Sequence, residues 1–236
     1  MKQNKFSKIE FRVNKEYEKE VALFYLEKRE YYFSRFIKDF PELEKAKKLS
    51  EKEAKEFISK EIDKIYLAKE TELLGKRKEI IEKWDKVKEA FFKETENLFE
   101  HKWPLGEYIT NISPFGMYRL KLGTKIFSIP SNDYAGDPPA FGHINFVIIH
   151  EMLHIFFENY YKEHFSDETL TLEQYRDLLE LVNDVILNLP QFKEITKWVA
   201  YPYPQHKKAY EDLKEVYVNC SSMKEFVEKA VEYIRA

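Results

Sequence analysis

The chain has 236 residues, 44% of them hydrophobic and 16% aromatic, enough for one large domain or two small ones with a true core. Its 39 Lys+Arg nearly balance 42 Asp+Glu, so no net field favours a nucleic-acid partner or an anionic membrane surface. One cysteine, Cys220, leaves no intramolecular disulfide, the N-terminus "MKQNKFSKIEF" lacks the apolar core of a signal peptide, and no apolar run reaches the roughly 18 residues of a membrane span. These features describe a cytoplasmic chain without a membrane partner.

Only six Gly against abundant Lys, Glu, Ile, Phe and Tyr predict much helix and few loops. Near the N-terminus, Ile9, Phe11 and Val13 share one parity and suggest a short strand. From about residue 15 to 101 the sequence is charged and helical in period, with apolar positions at Val21, Phe24, Tyr25, Tyr32, Phe36 and Ile37. Pro41 suits the first position of a short helix, and "SEKE" from Ser50 to Glu53 reads as a capping box opening a long one. The apolar side of that helix runs through Ile58, Ile62 and Ile65, past Gly75, to Ile80, Trp84, Val87 and Phe91.

Beyond 102 the texture changes. "HKWPLGEYITNISPFG" is rich in turn residues, and "MYRLKLGTKIFSIPS" gives two short alternating runs around Gly123, a β-hairpin pattern. A loop closing on Pro138 and Pro139 precedes a helix that extends to about His164. "TLEQ" from Thr171 to Gln174 is a second capping box, for a helix that stops before Pro190. "YPYPQH" reads as a loop, and "SMKE" from Ser222 to Glu225 opens the last helix. The fold class expected is α+β and predominantly helical, with a helical region over 1–101 and a second region over 102–236, together one compact unit.

The chemistry concentrates in "FVIIHEMLHIFF", residues 146 to 157. His150, Glu151 and His154 form HExxH, a pattern expected by chance on the order of once in a hundred chains of this length. On a helix, residues i and i+4 stand one above the other, so both imidazoles can reach one ion while Glu151 lies beside them. Ile149, Met152, Leu153 and Ile155 make the surroundings apolar, where unpaired polar side chains cost a few kcal/mol each. A metal would satisfy them. Two neutral imidazoles and a carboxylate with an open fourth position suit Zn2+.

The HEMLH segment resembles the active-site helix of the zincin metallopeptidases, and the preceding two-stranded run resembles the zincin edge strand that aligns an extended substrate. The likeness covers roughly residues 115 to 190 and implies a small β-sheet followed by an active-site helix and a third-ligand helix. The metzincin branch requires a Gly and a further His close behind the motif, which "FENYYKEH" does not match, and His164 lies too far along for that branch. The thermolysin-like gluzincins instead take a glutamate from the next helix within ExxxD. Two such pairs occur here, Glu173 with Asp177 and Glu180 with Asp184. The apolar flanks in "LLELVNDVILNL" favour Glu180, whereas the spacing of Glu173 is nearer the thermolysin pattern.

By this resemblance the chain is a zinc-dependent metallopeptidase acting on a peptide or protein substrate. Its metal ligands would be His150, His154 and Glu180, its general base Glu151, and Asp184 would orient His150 through the other ring nitrogen. A donor for the developing oxyanion is expected in "YPYPQHKKAY", read as a loop that could reach over the cleft, with Tyr203 and His206 as candidates beside Tyr201 and Tyr210; no motif selects among them. His143 falls at the rim of such a cleft, while His101 and His164 read as surface residues. Two other readings compete: a non-catalytic helical protein with a structural metal or polar network, in which Glu180, Asn183, Asp184 and Asn188 form a solvated helix face, and a regulatory protease with one protein substrate.

Overall fold

The computed structural model describes residues 8–28, 30–115, 119–121, 123–131, 144–165 and 170–236. The predicted N-terminal strand is β1, Lys8–Arg12. Helices α1, Lys15–Lys28, and α2, Glu30–Asp39, occupy the first charged stretch, and a 3-10 helix, Pro41–Lys48, begins at the proline. The Ser50 capping box forms as expected and opens α3, Glu51–Asp85. The long helix does not continue through Val87 to Phe91: the chain turns at Lys86, and α4, Lys88–Phe99, starts anew. This break lets Trp84 meet Phe91 and Phe92 edge-on, with ring centroids at 5.8 and 6.1 Å. Tertiary packing therefore overrides a periodicity that would have run on.

Sequence texture missed one strand. Within the stretch that read as turns lies β2, Glu107–Ser113, the strand that joins the two parts of the chain. It pairs in parallel with β1 on one side and with β4, Ile126–Pro130, on the other. The expected hairpin is present as β3, Arg119–Leu120, antiparallel to β4, with Gly123 at φ 78° in the connection. The sheet order is β1-β2-β4-β3, which leaves β3 on an edge. The Asn and Ser of β2 imitate turn chemistry, yet Asn111 and Ser113 are buried because the strand is covered on both faces.

Tyr108, on one face, packs with Trp103 against Phe156 of α5, Ile144–His164. The opposite face, which carries Ser113 and Arg119, lies against α1: the Arg119 guanidinium sits 4.2 Å from the Phe24 ring centre. Helix α5 is buried over most of its length, and each fully buried Phe or Ile there is worth about 1.5–3 kcal/mol of transfer free energy. The Thr171 capping box then opens α6, Leu172–Leu187, followed by α7, Pro190–Thr196. The segment "YPYPQHKKAY" is only partly loop. Pro204–His206 make one 3-10 turn and Lys207 begins α8, Lys207–Val218, so Tyr210 is helical. Ser222 caps the last helix, α9, Met223–Arg235. The loop at Pro138 and Pro139, and His143, lie outside the described residues. Among the described residues no helix is long and apolar enough to cross a membrane.

One charged side chain is sealed between α1, α3 and the sheet. Glu18 is 1% exposed, accepts a hydrogen bond from the Tyr66 hydroxyl at 3.0 Å and is bonded to Ser113. Burial pushes its carboxyl up to about 7, against the pull of these two hydroxyls. The folded state thus holds a proton that the unfolded chain has released above its ordinary value, so this contribution to stability is full below pH 4.5 and declines as pH rises toward 7. Glu18→Gln is expected to raise the thermal midpoint relative to wild type at pH 8 and to change it little at pH 4.5. The gain at pH 8 has an upper limit on the order of 3 kcal/mol, and equal midpoint shifts at both pH values would contradict it.

Candidate metal centre

Helix α5 carries His150 and His154 on the face that packs against α6, and both rings are buried, at 8% and 4% exposed. Their Nε2 atoms lie 2.9 Å apart. Glu180, from the middle of α6, completes the group: its carboxylate oxygens are 3.5 Å from His150 Nε2 and 3.6 Å from His154 Nε2. Four-residue spacing brings the imidazoles together, and an α5–α6 contact brings the carboxylate to them. Glu173 is exposed in the first turn of α6 and takes no part in this cluster.

The face of α6 that could have been solvated is not. Asn183 is fully buried and Asp184 nearly so, and Asn183 Nδ2 donates to the main-chain carbonyl of His150 at 3.0 Å. That bond locks the register of α6 on α5. Asn188, at the C-terminal end of the same helix, donates to the carbonyls of Asp184 and Ala200. Asp184 is close enough for its charge to bear on His150, but among the described residues His150 Nδ1 has no hydrogen-bond partner.

The charges in this group are strongly coupled. Burial would lower both imidazoles, yet the hydrogen bond and charge of Glu180 raise His150 to about 9. Burial and the charge on His150 push His154 down, so the two rings share one proton. Glu180 is held down to about 2 by both imidazoles in spite of its burial. Glu151, beside them and 7% exposed, is pushed up to about 7 by burial and, after the opposing pull of His150, by the charge of Glu180. Burial likewise raises Asp184 to about 7. Carboxyls near neutrality inside such a group are of the kind that exchange protons.

Of the expected oxyanion donors, His206 is tied to α6. Its Nε2 is 3.0 Å from Asp177 Oδ1, and Asp177 lies one turn before Glu180 on α6, so the charge of His206 reaches Glu180. Tyr203 flanks the His206 ring at 5.9 Å but is 42% exposed, and Tyr201 is 55% exposed. Tyr210 is buried on α8, where the charge of Asp184 acts on it. Sequence reasoning missed Tyr17 of α1. Its hydroxyl is buried with no hydrogen-bond partner among the described residues, and the charges of Arg119 and Glu151 both bear on it. No signal in the sequence links residue 17 to residue 151; only folding does.

The donor set fits a zinc ion. Atoms bound at 2.0–2.1 Å around one tetrahedral centre lie about 3.3 Å from each other, close to the 2.9, 3.5 and 3.6 Å seen here. The contact of Glu180 Oε2 with His150 Nε2, at 3.5 Å, is longer than a good hydrogen bond, and a cation would satisfy that oxygen better. A cavity of about 400 Å³, lined by Lys8, Phe11, Arg77, Trp84 and Lys88 among others, lies elsewhere, under β1. No family model, no curated protein and no solved structure matches this chain.

Asn183→Ala removes the bond that ties α6 to the His150 carbonyl inside the core. A loss of about 1–3 kcal/mol in unfolding free energy by denaturant titration is expected, with a weakened zinc affinity if α6 shifts.

Proposed function

We propose that the chain is a zinc-dependent peptidase of the zincin type, closest in its ligand pattern to the gluzincins, with His150, His154 and Glu180 as metal ligands. The observation that carries this reading is the convergence of those three side chains, whose ligand atoms all lie within 4.8 Å of one another, with Glu151 buried at their side. The choice of Glu180 over Glu173 rests on the same contact. An edge strand, β3, precedes the helix, as an extended peptide substrate would need.

Zinc, when bound, would supply a Lewis acid that polarises a carbonyl and makes water acidic near neutral pH. Glu151, buried beside the ligands, takes the proton of the attacking water and returns it to the leaving amine. His206, which meets Asp177, would donate to the developing oxyanion, with the buried Tyr17 hydroxyl as a second candidate donor. Apolar walls from α5 exclude bulk water, which strengthens each of these interactions.

A second reading is favoured by the 2.9 Å contact between the imidazoles. One shared proton, held by Glu180, makes a polar network that locks α5 to α6 without any ion.

Metal content separates the two. Purified protein is expected to carry zinc that His150→Ala loses, whereas protein that takes up no zinc even after its addition leaves only the proton-bridged network. Glu151→Gln should then retain zinc but lose hydrolysis of unstructured peptides by several orders of magnitude, on the order of the 10²–10⁴-fold or more ascribed to a general base; full activity in that variant would remove the peptidase reading. For the third ligand, Glu180→Ala should release zinc and Glu173→Ala should keep it, measured by competition with a chromogenic chelator. The reverse result would assign the ligand to Glu173.

A further inference from the structure

We propose that His101, Glu163 and His164 form a second transition-metal site, at the C-terminal end of α5 and separate from the HExxH group. Their ligand atoms all lie within 4.8 Å of one another. Glu163 stands nine residues beyond His154, roughly 14 Å along the helix axis, so the two clusters cannot share an ion.

The chain builds this corner from both sides. Glu100 adopts a left-handed conformation, φ 52°, that ends α4, and the His101 amide donates back to the Glu96 carbonyl at 3.3 Å. The Glu96 side chain also accepts from the Trp103 amide at 3.2 Å, so the residues flanking His101 are pinned. This turn lays the His101 ring against α5, edge-on to Phe156 and Tyr160 with centroids at 5.6 and 5.4 Å. Only 13% of its side chain remains exposed. The ring is fixed by packing rather than free to swing.

What it faces is polar. His101 Nε2 lies 3.4 Å from Asn159 Oδ1 and 3.7 Å from Glu163 Oε2, and the His164 ring is 5.4 Å away, itself held by Tyr160 at 4.5 Å. Both oxygens are farther than a good N–H···O bond requires, which leaves the space that an ion with bonds near 2.0–2.1 Å would draw together. Asn159 and Glu163 are one turn apart and present their oxygens on the same helix face. The final carbonyls of α5 add the negative end of the helix dipole, which favours a cation at this end.

Two imidazoles and one carboxylate select a borderline ion such as Zn2+, Ni2+ or Cu2+ over Ca2+ or Mg2+. The exposure of Glu163 and His164 makes binding weaker than at a buried centre. An ion here would clip the segment leaving α4 to the end of the helix that carries HExxH. This inference does not depend on the peptidase reading.

The probe is zinc alone, added to chelator-treated protein and counted by equilibrium dialysis with mass spectrometry. Wild type is expected to bind two equivalents, the weaker of which disappears in His101→Ala and again in His164→Ala. His150→Ala with His154→Ala should retain one equivalent, and adding His101→Ala should abolish it. Because the double variant removes buried residues, the single His101→Ala count in the otherwise intact chain stands as the second measurement. An unchanged count in His101→Ala, or loss of all zinc binding in His150→Ala with His154→Ala, would overturn the second site and leave only the His101–Glu163 contact at 3.7 Å; a single equivalent in wild type that His101→Ala removes would still place zinc there.

Discussion

The structure depends on how a polar cluster is accommodated in an apolar interface. His150, Glu151 and His154 lie on the most apolar helix of the chain, and each is less than a tenth exposed. Groups of this kind cost several kcal/mol inside a core unless they are paired. Helix α6 provides the pairing: Glu180 reaches both imidazoles and Asn183 bonds the His150 carbonyl. The same contact that relieves desolvation also brings two imidazoles and a carboxylate to one point. Packing and chemistry are thus met by one interface, which is why α6 has its buried polar face turned inward.

The remaining elements support that pair. The sheet lies between α1 and the α4–α5 layer, with Tyr108, Trp103 and Phe156 joining β2 to α5. On the other face Glu18, Tyr66 and Ser113 anchor α1 to α3 and β2, and Arg119 rests on the Phe24 ring. Through these contacts the helical N-terminal part brings Tyr17 to the neighbourhood of Glu151. At the far end of α5, His101 ties the segment after α4 to the same helix.

The local grammar of the chain was legible. Capping boxes at Ser50 and Thr171, the Ser222 cap, the proline at 41 and the hairpin around Gly123 all lie where the residues place them, because each depends on neighbours a few residues away. Three features were not legible. The turn at Lys86 is set by the rings packed on Trp84, β2 hides its alternation behind Asn and Ser, and α8 absorbs residues that read as loop. In each, a long-range contact decides between local options that are close in energy.

By itself the sequence determined that two histidines share one helix face with a glutamate beside them, since a four-residue spacing and a helical period leave no other arrangement. It also narrowed the third carboxylate to two glutamates on one downstream helix, without choosing between them. Only the tertiary structure decided the choice of neighbour. The angle and register of α6 on α5, fixed by buried Leu and Val contacts and by the Asn183 bond, carry Glu180 to the imidazoles and leave Glu173 in solvent. Register between two packed helices is a property of both surfaces at once, and no window of one sequence segment contains it.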